Sequence, residues 1–515
     1  MNENFDFHDL FVFDLANNHQ GSVQHALDII HGIGEVVRKQ GIRGAFKFQY
    51  RQLDTFVHPH HQEQSDNKHI PRFLATRLDQ SQFQTLLDAV RAEGMLAMCT
   101  PFDEESVDVI TDMGFDLAKV ASCSAKDWPL LEKIAEANLP VIFSTGGLQL
   151  GNIDDLVSFF DHRGTDFAMM HCVSIYPIPT DQFNLNQIEV LRHRYRNRVI
   201  GWSTHENPDE TVPVQIAVAK GARIFERHVG IATKDIKLNA YSSTPEQAER
   251  WISAWKHAME LCGSTERQIV DVEQESLDSL RRGVYAINPI KKGQPIEREQ
   301  VYFAMPYVPD QLDSGNWKSG IVAQADINTD MPILLGEVSI PTNPDYHVFK
   351  EAVHEVKALL NKANIALNSE FEVEYSHHYG ISRFREYGAV IINCINREYC
   401  KKILVQLPGQ KHPLHFHKLK EETFQVLHGE LTVSVDGHVR TLKPGEVYLV
   451  MPGVWHSFWT DTGCVFEEVS TTHYNNDSTY KDAKINKLQR HERKTVVDHW
   501  GRFQLPDKIE SATAE

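Results

Sequence analysis

The chain has 515 residues, 41% of them hydrophobic and 24% charged, with a formal net charge of −18. That length calls for two to four domains with sizeable cores, and the acidity excludes nucleic acid or an anionic membrane surface as the main partner, since both need positive patches. The seven cysteines form no CxxC pair, "MNENFDFHDLFVF" lacks a basic start before an apolar core, and no run is long enough to span a bilayer, so the expectation is a cytoplasmic protein with reduced thiols.

Up to about residue 265, short apolar runs alternate with amphipathic stretches. The strand candidates are "LFVFDLA", "GAFKFQY", "MLAMCTPF", "LAKVAS", "PVIFSTG", "FAMMHCVS", "RVIGWSTH" and "ARIFERHV". Between them stand helical patterns such as "VQHALDIIHGIGEVVRKQ" and "SQFQTLLDAVRAEG", several closed by glycine, as helix C-termini prefer. Eight such units predict an α/β fold, a closed (β/α)8 TIM barrel over residues 1–268. An open doubly wound sheet would want a Gly-rich phosphate turn after the first strand, and "ANNHQGS" supplies none.

Residues 278–345 change character. "RRGVYAINPIKKGQPIEREQVYFAMP" reads as short β runs cut by Pro and Gly, a small β-rich domain. A helical connector is expected over 346–368. From 369 to 490, alternating strands separated by "PGQ", "HGE", "DGH" and "KPGE" indicate an all-β barrel or sandwich. Residues 491–515 read as a loosely ordered polar tail.

In a TIM barrel, reactive side chains gather at the C-terminal ends of the strands. Those ends read Asp14, Lys47 with Gln49, Thr100, Lys119 with Ser122, Ser144 with Thr145, Ser174 with Tyr176, Ser203 with His205, and His228. A single strand-end histidine is commonly a hydrogen-bonded rim residue; the weight lies in so many polar residues falling on one rim. Two lysines among hydroxyls can hold a phosphate or carboxylate. Two neutral imidazoles from adjacent strands can share a divalent cation.

The ordered motifs "NNHQG", "KFQ", "CTPFD", "KVAS", "PVIFSTGG", "HCVSIYP", "GWSTHE" and "FERHV" resemble those of the sialic acid synthase family, over residues 10–265. "RRGVYAINPIKKGQPI" resembles the opening of that family's antifreeze-like (SAF) domain. The resemblance implies condensation of phosphoenolpyruvate with an aldehyde sugar, giving a 2-keto-3-deoxy sugar acid and phosphate. It assigns phosphoenolpyruvate to Lys47, Thr100, Lys119, Ser122, Ser144, Ser174 and Ser203, and the acceptor, an aldose or amino sugar, to Gln49 and Tyr176. It implies Mn2+ or Mg2+ on His205 and His228, with Asp14, Lys119 and His228 catalytic, and a homodimer. Against the family pattern, Asp14 replaces a glutamate, Thr204 an aspartate beside the metal, Ser124 an acid and Met305 an arginine, while "KDIKLNAYSS" stands where a Gly-Pro-Asp-His-like segment is expected. A Schiff-base aldolase through Lys119, and a non-catalytic scaffold with a sugar-sensing cupin, remain the alternatives.

In the last domain, period-two alternation puts His415 and His417 on one strand face, with Glu422 and His456 further on. "GQKHPLHFHKLKEETFQVLHGE" and "GEVYLVMPGVWHSF" resemble the two cupin motifs. That resemblance implies a second metal site, of His415, His417, Glu422 and His456, suited to Mn, Fe, Ni or Zn. The cupin is expected to isomerise or bind a sugar, or else to be metal-free with structural histidines. Lys418, Lys420 and Glu421 flank the strand, where lysines are usually solvated.

Overall fold

The computed structural model describes residues 5–264, 268–341, 344–367, 371–498 and 500. The chain divides into two compact units, 1–268 and 269–515.

The first unit is a closed parallel barrel of eight strands in sequence order. They are β1 (Leu10–Asp14), β2 (Arg43–Tyr50), β3 (Leu96–Pro101), β4 (Leu117–Val120), β5 (Val141–Ser144), β6 (Phe167–Cys172), β7 (Ile200–Thr204) and β8 (Ile224–His228). Seven of the eight fall within the runs picked out above, and β2 begins one residue earlier, at Arg43. Alternation along each strand separates two cores. Phe11, Phe13, Phe46, Phe48 and Phe143 face outward into a layer shared with the helices. Leu10, Val12, Ala45, Met98, Leu117, Ile142, Met170 and Ile224 fill the interior.

The helix Val23–Gln40 shows how the outer layer is built. Ser22 caps it by accepting from the His25 amide, and Gly41 ends it in the left-handed region at φ 58°. Ala26, Ile29, Ile30, Ile33, Val36 and Val37 form its buried stripe.

In the second unit, two short antiparallel pairs, Gly283–Ala286 with Val301–Ala304 and Val322–Ala323 with Val338–Ser339, surround a separate core of Val284, Ile290, Ile296, Leu312, Ile321 and Ile333. Beyond them, a seven-stranded and a five-stranded antiparallel sheet form the all-β domain.

Two expectations change here. The helix Pro344–Lys362 is part of the β domain's core rather than a plain connector: Phe349, Ala352, Val353, Val356 and Leu360 recur at helical spacing and pack with Val373, Val390 and Val405. The tail expected over 491–515 also begins too early, because Lys494–Asp498 pairs along Glu372–Ser376 as an edge strand of the larger sheet. Its alternating "TVV" lets it join the ladder. Residues 501–515 lie outside the described residues.

Candidate functional site

Six of the eight barrel strands carry an apolar inward residue and then, two positions on, a polar one. Val12 leads to Asp14, Ala45 to Lys47, Met98 to Thr100, Leu117 to Lys119, Ile142 to Ser144, and Ile224 to Glu226 and then His228. The period-two rule therefore lifts the polar ends of the strands to one side of an apolar plug. They line a cavity of about 770 Å³ that contains twelve of the thirteen strand-end residues read from the sequence: Asp14, Lys47, Gln49, Thr100, Lys119, Ser122, Ser144, Ser174, Tyr176, Ser203, His205 and His228; Thr145 instead donates to the Met170 carbonyl.

At its base lie four buried charges. Lys47 Nζ is 2.7 Å from Glu226 Oε1 and 3.0 Å from Asp14 Oδ2; Lys119 Nζ is 3.3 Å from Glu226 Oε2 and donates to Ser144 Oγ at 2.7 Å. Burial works against the charge on Lys47, but Asp14 and Glu226 outweigh it and hold its pKa above the usual lysine range. Burial prevails at Lys119, whose pKa is lowered despite Glu226. Glu226 resists its own burial, because Lys119 and Lys47 hold its carboxyl well below the usual range. The sequence reading missed Glu226, although it stands two residues before His228 on the same strand face.

Hydroxyls ring Lys119. Gly146 donates its amide to Ser122 Oγ at 3.1 Å. A Cβ at Gly146 would meet Ser174 Oγ at 2.4 Å and Ser122 Oγ at 2.7 Å, so the first glycine of "STGG" keeps this corner open. Thr100 Oγ1 is buried with no hydrogen-bond partner among the described residues, which leaves it for a ligand.

The His205 and His228 rings face one another with centroids 5.4 Å apart. Burial, with His228 nearby, drops His205 to about 3, and burial also lowers His228, so both are neutral imidazoles near pH 7. His205 donates through Nδ1 to the Val173 carbonyl at 3.2 Å, which leaves Nε2 free. His228 Nδ1 lies 3.5 Å from Asp14 Oδ2. Two neutral nitrogens beside a carboxylate fit a divalent cation that takes its remaining ligands from water or substrate. Behind the strands, Glu206 and Arg227 point the other way and pair at 2.8 Å, with the guanidinium 5.1 Å from the Trp251 ring centroid.

The same alternation corrects two readings. Thr204 does not line the cavity, so an acid missing there takes nothing from the imidazoles; Asp14 is the nearby carboxylate. Ser124 is likewise buried outside the cavity. The unexpected segment "KDIKLNAYSS" does return to the site: Asn239 and Tyr241 line it, with the Tyr241 ring 5.2 Å from both Tyr176 and His228. Arg51, Lys68 and Arg72 line it too and were not anticipated.

The second candidate site lies in the β domain. His415, His417, Glu422 and His456 are all buried, and their ligand atoms lie within 4.8 Å of one another. His415 and His456 donate through Nδ1 to the carbonyls of Pro413 (2.9 Å) and Val454 (3.0 Å), which turns each Nε2 inward. His456 Nε2 and Glu422 Oε1 stand 2.7 Å apart, and neither has a hydrogen-bond partner. Two facing acceptors left bare in a buried pocket fit a cation between them. Lys420 is not solvated. It is 3% exposed and pairs with Glu422 and, at 2.9 Å, with Glu468. Asp477, also unanticipated, accepts from the amides of Lys418, Leu419 and Lys420 and fixes the turn after His417.

Residues 39–267 match the NeuB family, and residues 403–466 match the cupin domain. Among solved structures, a Chromobacterium violaceum protein described as spore coat polysaccharide biosynthesis protein E is 43% identical, covering 64% of this chain and 100% of that one at a TM-score of 0.63. The N-acetylneuraminate-9-phosphate synthase of Drosophila melanogaster is 31% identical over 42% of this chain and 59% of its own length. The N,N'-diacetyllegionaminic acid synthase of Legionella pneumophila is 26% identical over 57% of this chain and 85% of its own. Among the described residues, no helix is long and apolar enough to cross a membrane, and all seven cysteines are unpaired.

Proposed function

From a chain that carries a NeuB-family domain and a cupin domain, we propose that the barrel condenses phosphoenolpyruvate with an aldehyde sugar to a 2-keto-3-deoxy, sialic acid-like sugar acid, releasing phosphate. One observation carries the reading: every residue that the family motifs assign to substrate or metal opens into a single cavity.

Lys119 with Ser122, Ser144 and Ser174, together with Lys47, Thr100 and Ser203, hold the phosphate and carboxylate through charge-assisted and hydroxyl hydrogen bonds. Gln49 and Tyr176 place the acceptor against C3. The C3–carbon bond forms as the aldehyde oxygen takes up a proton, water adds at C2, and phosphate leaves as the C2 carbonyl forms. Asp14, beside Lys47 and His228, is the carboxylate placed to hold that water and take its proton. A Mn2+ or Mg2+ ion on His205 and His228 would polarise the aldehyde oxygen. In the same reading, residues 278–345 are an SAF-like domain, the protein is a cytoplasmic homodimer, and the cupin isomerises or binds a sugar around a metal held by His415, His417, Glu422 and His456.

The test is phosphate release from phosphoenolpyruvate across a panel of aldoses and amino sugars. We expect release with one class of acceptor, and its loss in His228→Ala with the fold intact. Near wild-type turnover by that variant with its metal retained overturns the assignment. The lowered pKa of buried Lys119 favours a second reading, a Schiff-base aldolase; borohydride trapping with a keto substrate, indifferent to chelators, would establish it instead. Binding of phosphoenolpyruvate without release would leave the barrel a scaffold.

A further inference from the structure

We propose that the acceptor sugar carries an anionic substituent, a phosphate monoester or a carboxylate, held by Arg51, Lys68 and Arg72; the inference rests on the condensation reading above. Its origin is a charge imbalance. Five lysines and arginines line the cavity but only two carboxylates, a balance of +3 within a chain of −18. The imbalance is not spread evenly. Asp14 and Glu226 are spent on Lys47 and Lys119 at the base, whereas Arg51, Lys68 and Arg72 have no ion pair among the described residues.

These three residues lie in one stretch of chain after β2, apart from the hydroxyl donors that surround Lys119 on the strands further round the barrel. Arg51 is built into place. Its guanidinium stands 3.6 Å from the Phe102 ring centroid and 4.1 Å from that of Phe73, which lies beside Arg72 in the helix Ile70–Ala75. It donates to Gln49 Oε1 at 3.1 Å, and Gln49 in turn reaches Asp14 Oδ2 at 3.4 Å, so the cation is tied to the residue assigned to the acceptor. Its Nε is buried and has no hydrogen-bond partner among the described residues. Burial lowers its pKa to about 10, so it keeps its charge at neutral pH. A fork of guanidinium N–H groups with an unused donor, beside an exposed lysine and arginine, matches the oxygens of a phosphate or carboxylate. Phosphoenolpyruvate brings roughly three negative charges, about two on its phosphate. The hydroxyl cluster and base lysines suit that ligand, which leaves the outer cations to the second substrate.

The experiment compares a hexosamine, its 6-phosphate and the matching hexuronic acid in two assays on the full chain. One follows phosphoenolpyruvate consumption; the other measures binding by calorimetry with phosphoenolpyruvate present. We expect at least tenfold higher kcat/KM and tighter binding for one anionic form. The phosphate and carboxylate arms tell which. Lys68→Gln combined with Arg72→Gln should erase that preference while the KM for phosphoenolpyruvate stays within about twofold. Equal or better use of the neutral sugar overturns the proposal and leaves the condensation reading standing. So does a variant whose loss falls on the KM for phosphoenolpyruvate. Selective anion binding that the double variant abolishes, with no consumption for any sugar, would keep the anion site and discard the condensation.

Discussion

In the barrel, two lysines stand between two carboxylates, and the four buried charges sum to zero before any ligand arrives. In the cupin, one oxygen of Glu422 is taken by Lys420 while the other faces the bare Nε2 of His456. Both regions raise histidines and acids from strands into an interior and pair those acids with lysines, yet in the cupin an imidazole nitrogen and a carboxylate oxygen are left facing one another with no donor between them. A buried charge is tolerated when its partner is also protein, and becomes a demand for an outside ion when it is not. The barrel site should therefore stay folded when empty, while the cation proposed for the cupin should add to that domain's stability.

The sharpest way to break this contrast is to remove the barrel's central carboxylate. Glu226→Ala leaves Lys47 and Lys119 buried with Asp14 alone, and losing one member of such a set costs about 3–5 kcal/mol. Urea unfolding followed by amide exchange in β2 and β4 measures it, and a change below about 1 kcal/mol would mean that the lysines do not depend on Glu226.

Chelation comes next. At a free cation concentration about 100 times Kd, occupancy adds about 2.7 kcal/mol to the state that binds it. Stripping metal should speed exchange in the strands Lys411–His417 and His456–Trp459 well beyond any change in β7 and β8. Equal acceleration in both would erase the distinction.

Acid should act on both regions alike and gradually, a little per unit of pH. His19 in the barrel, lowered to about 4, and His378 in the cupin, lowered well below the usual range, are kept neutral mainly by burial, each with a neighbouring histidine adding to the effect. The unfolded chain takes up a proton near pH 6.5 that the folded chain refuses. Stability is thus whole above that value and falls as pH drops, by about 1.4 kcal/mol per unit for each histidine, down to the folded pKa. His19→Asn should flatten the acid limb of a stability–pH curve by one proton; an unchanged slope would show that the ring is not held neutral.

What the sequence disclosed follows the same physical divide. Strand tips were legible because alternation is local: Val12 predicts the side on which Asp14 lies. That the cupin histidines share a strand face was legible because His415 and His417 sit two apart. Glu226 obeyed that rule and was passed over for the histidine beside it. Thr204 broke the expectation because one position along a strand reverses the face. Residues beyond the strands gave no such signal. Arg51, Lys68, Arg72, Asn239 and Tyr241 enter the cavity through the path of the backbone, which no periodicity encodes. The burial of Lys420 depends on Glu468, 48 residues further on, and the edge strand Lys494–Asp498 depends on a partner more than a hundred residues earlier.

The pair of Glu206 and Arg227 has a consequence for inheritance. Each stands next to an imidazole-bearing position, on the opposite face of its strand, and together they clasp the ends of β7 and β8 from behind against Trp251. The span between His205 and His228 is thereby set like a calliper, whatever lies between its jaws. Replacing either member of the clasp alone would strand a buried charge and reset that span, so a change at position 206 or 227 should be carried only together with its partner's.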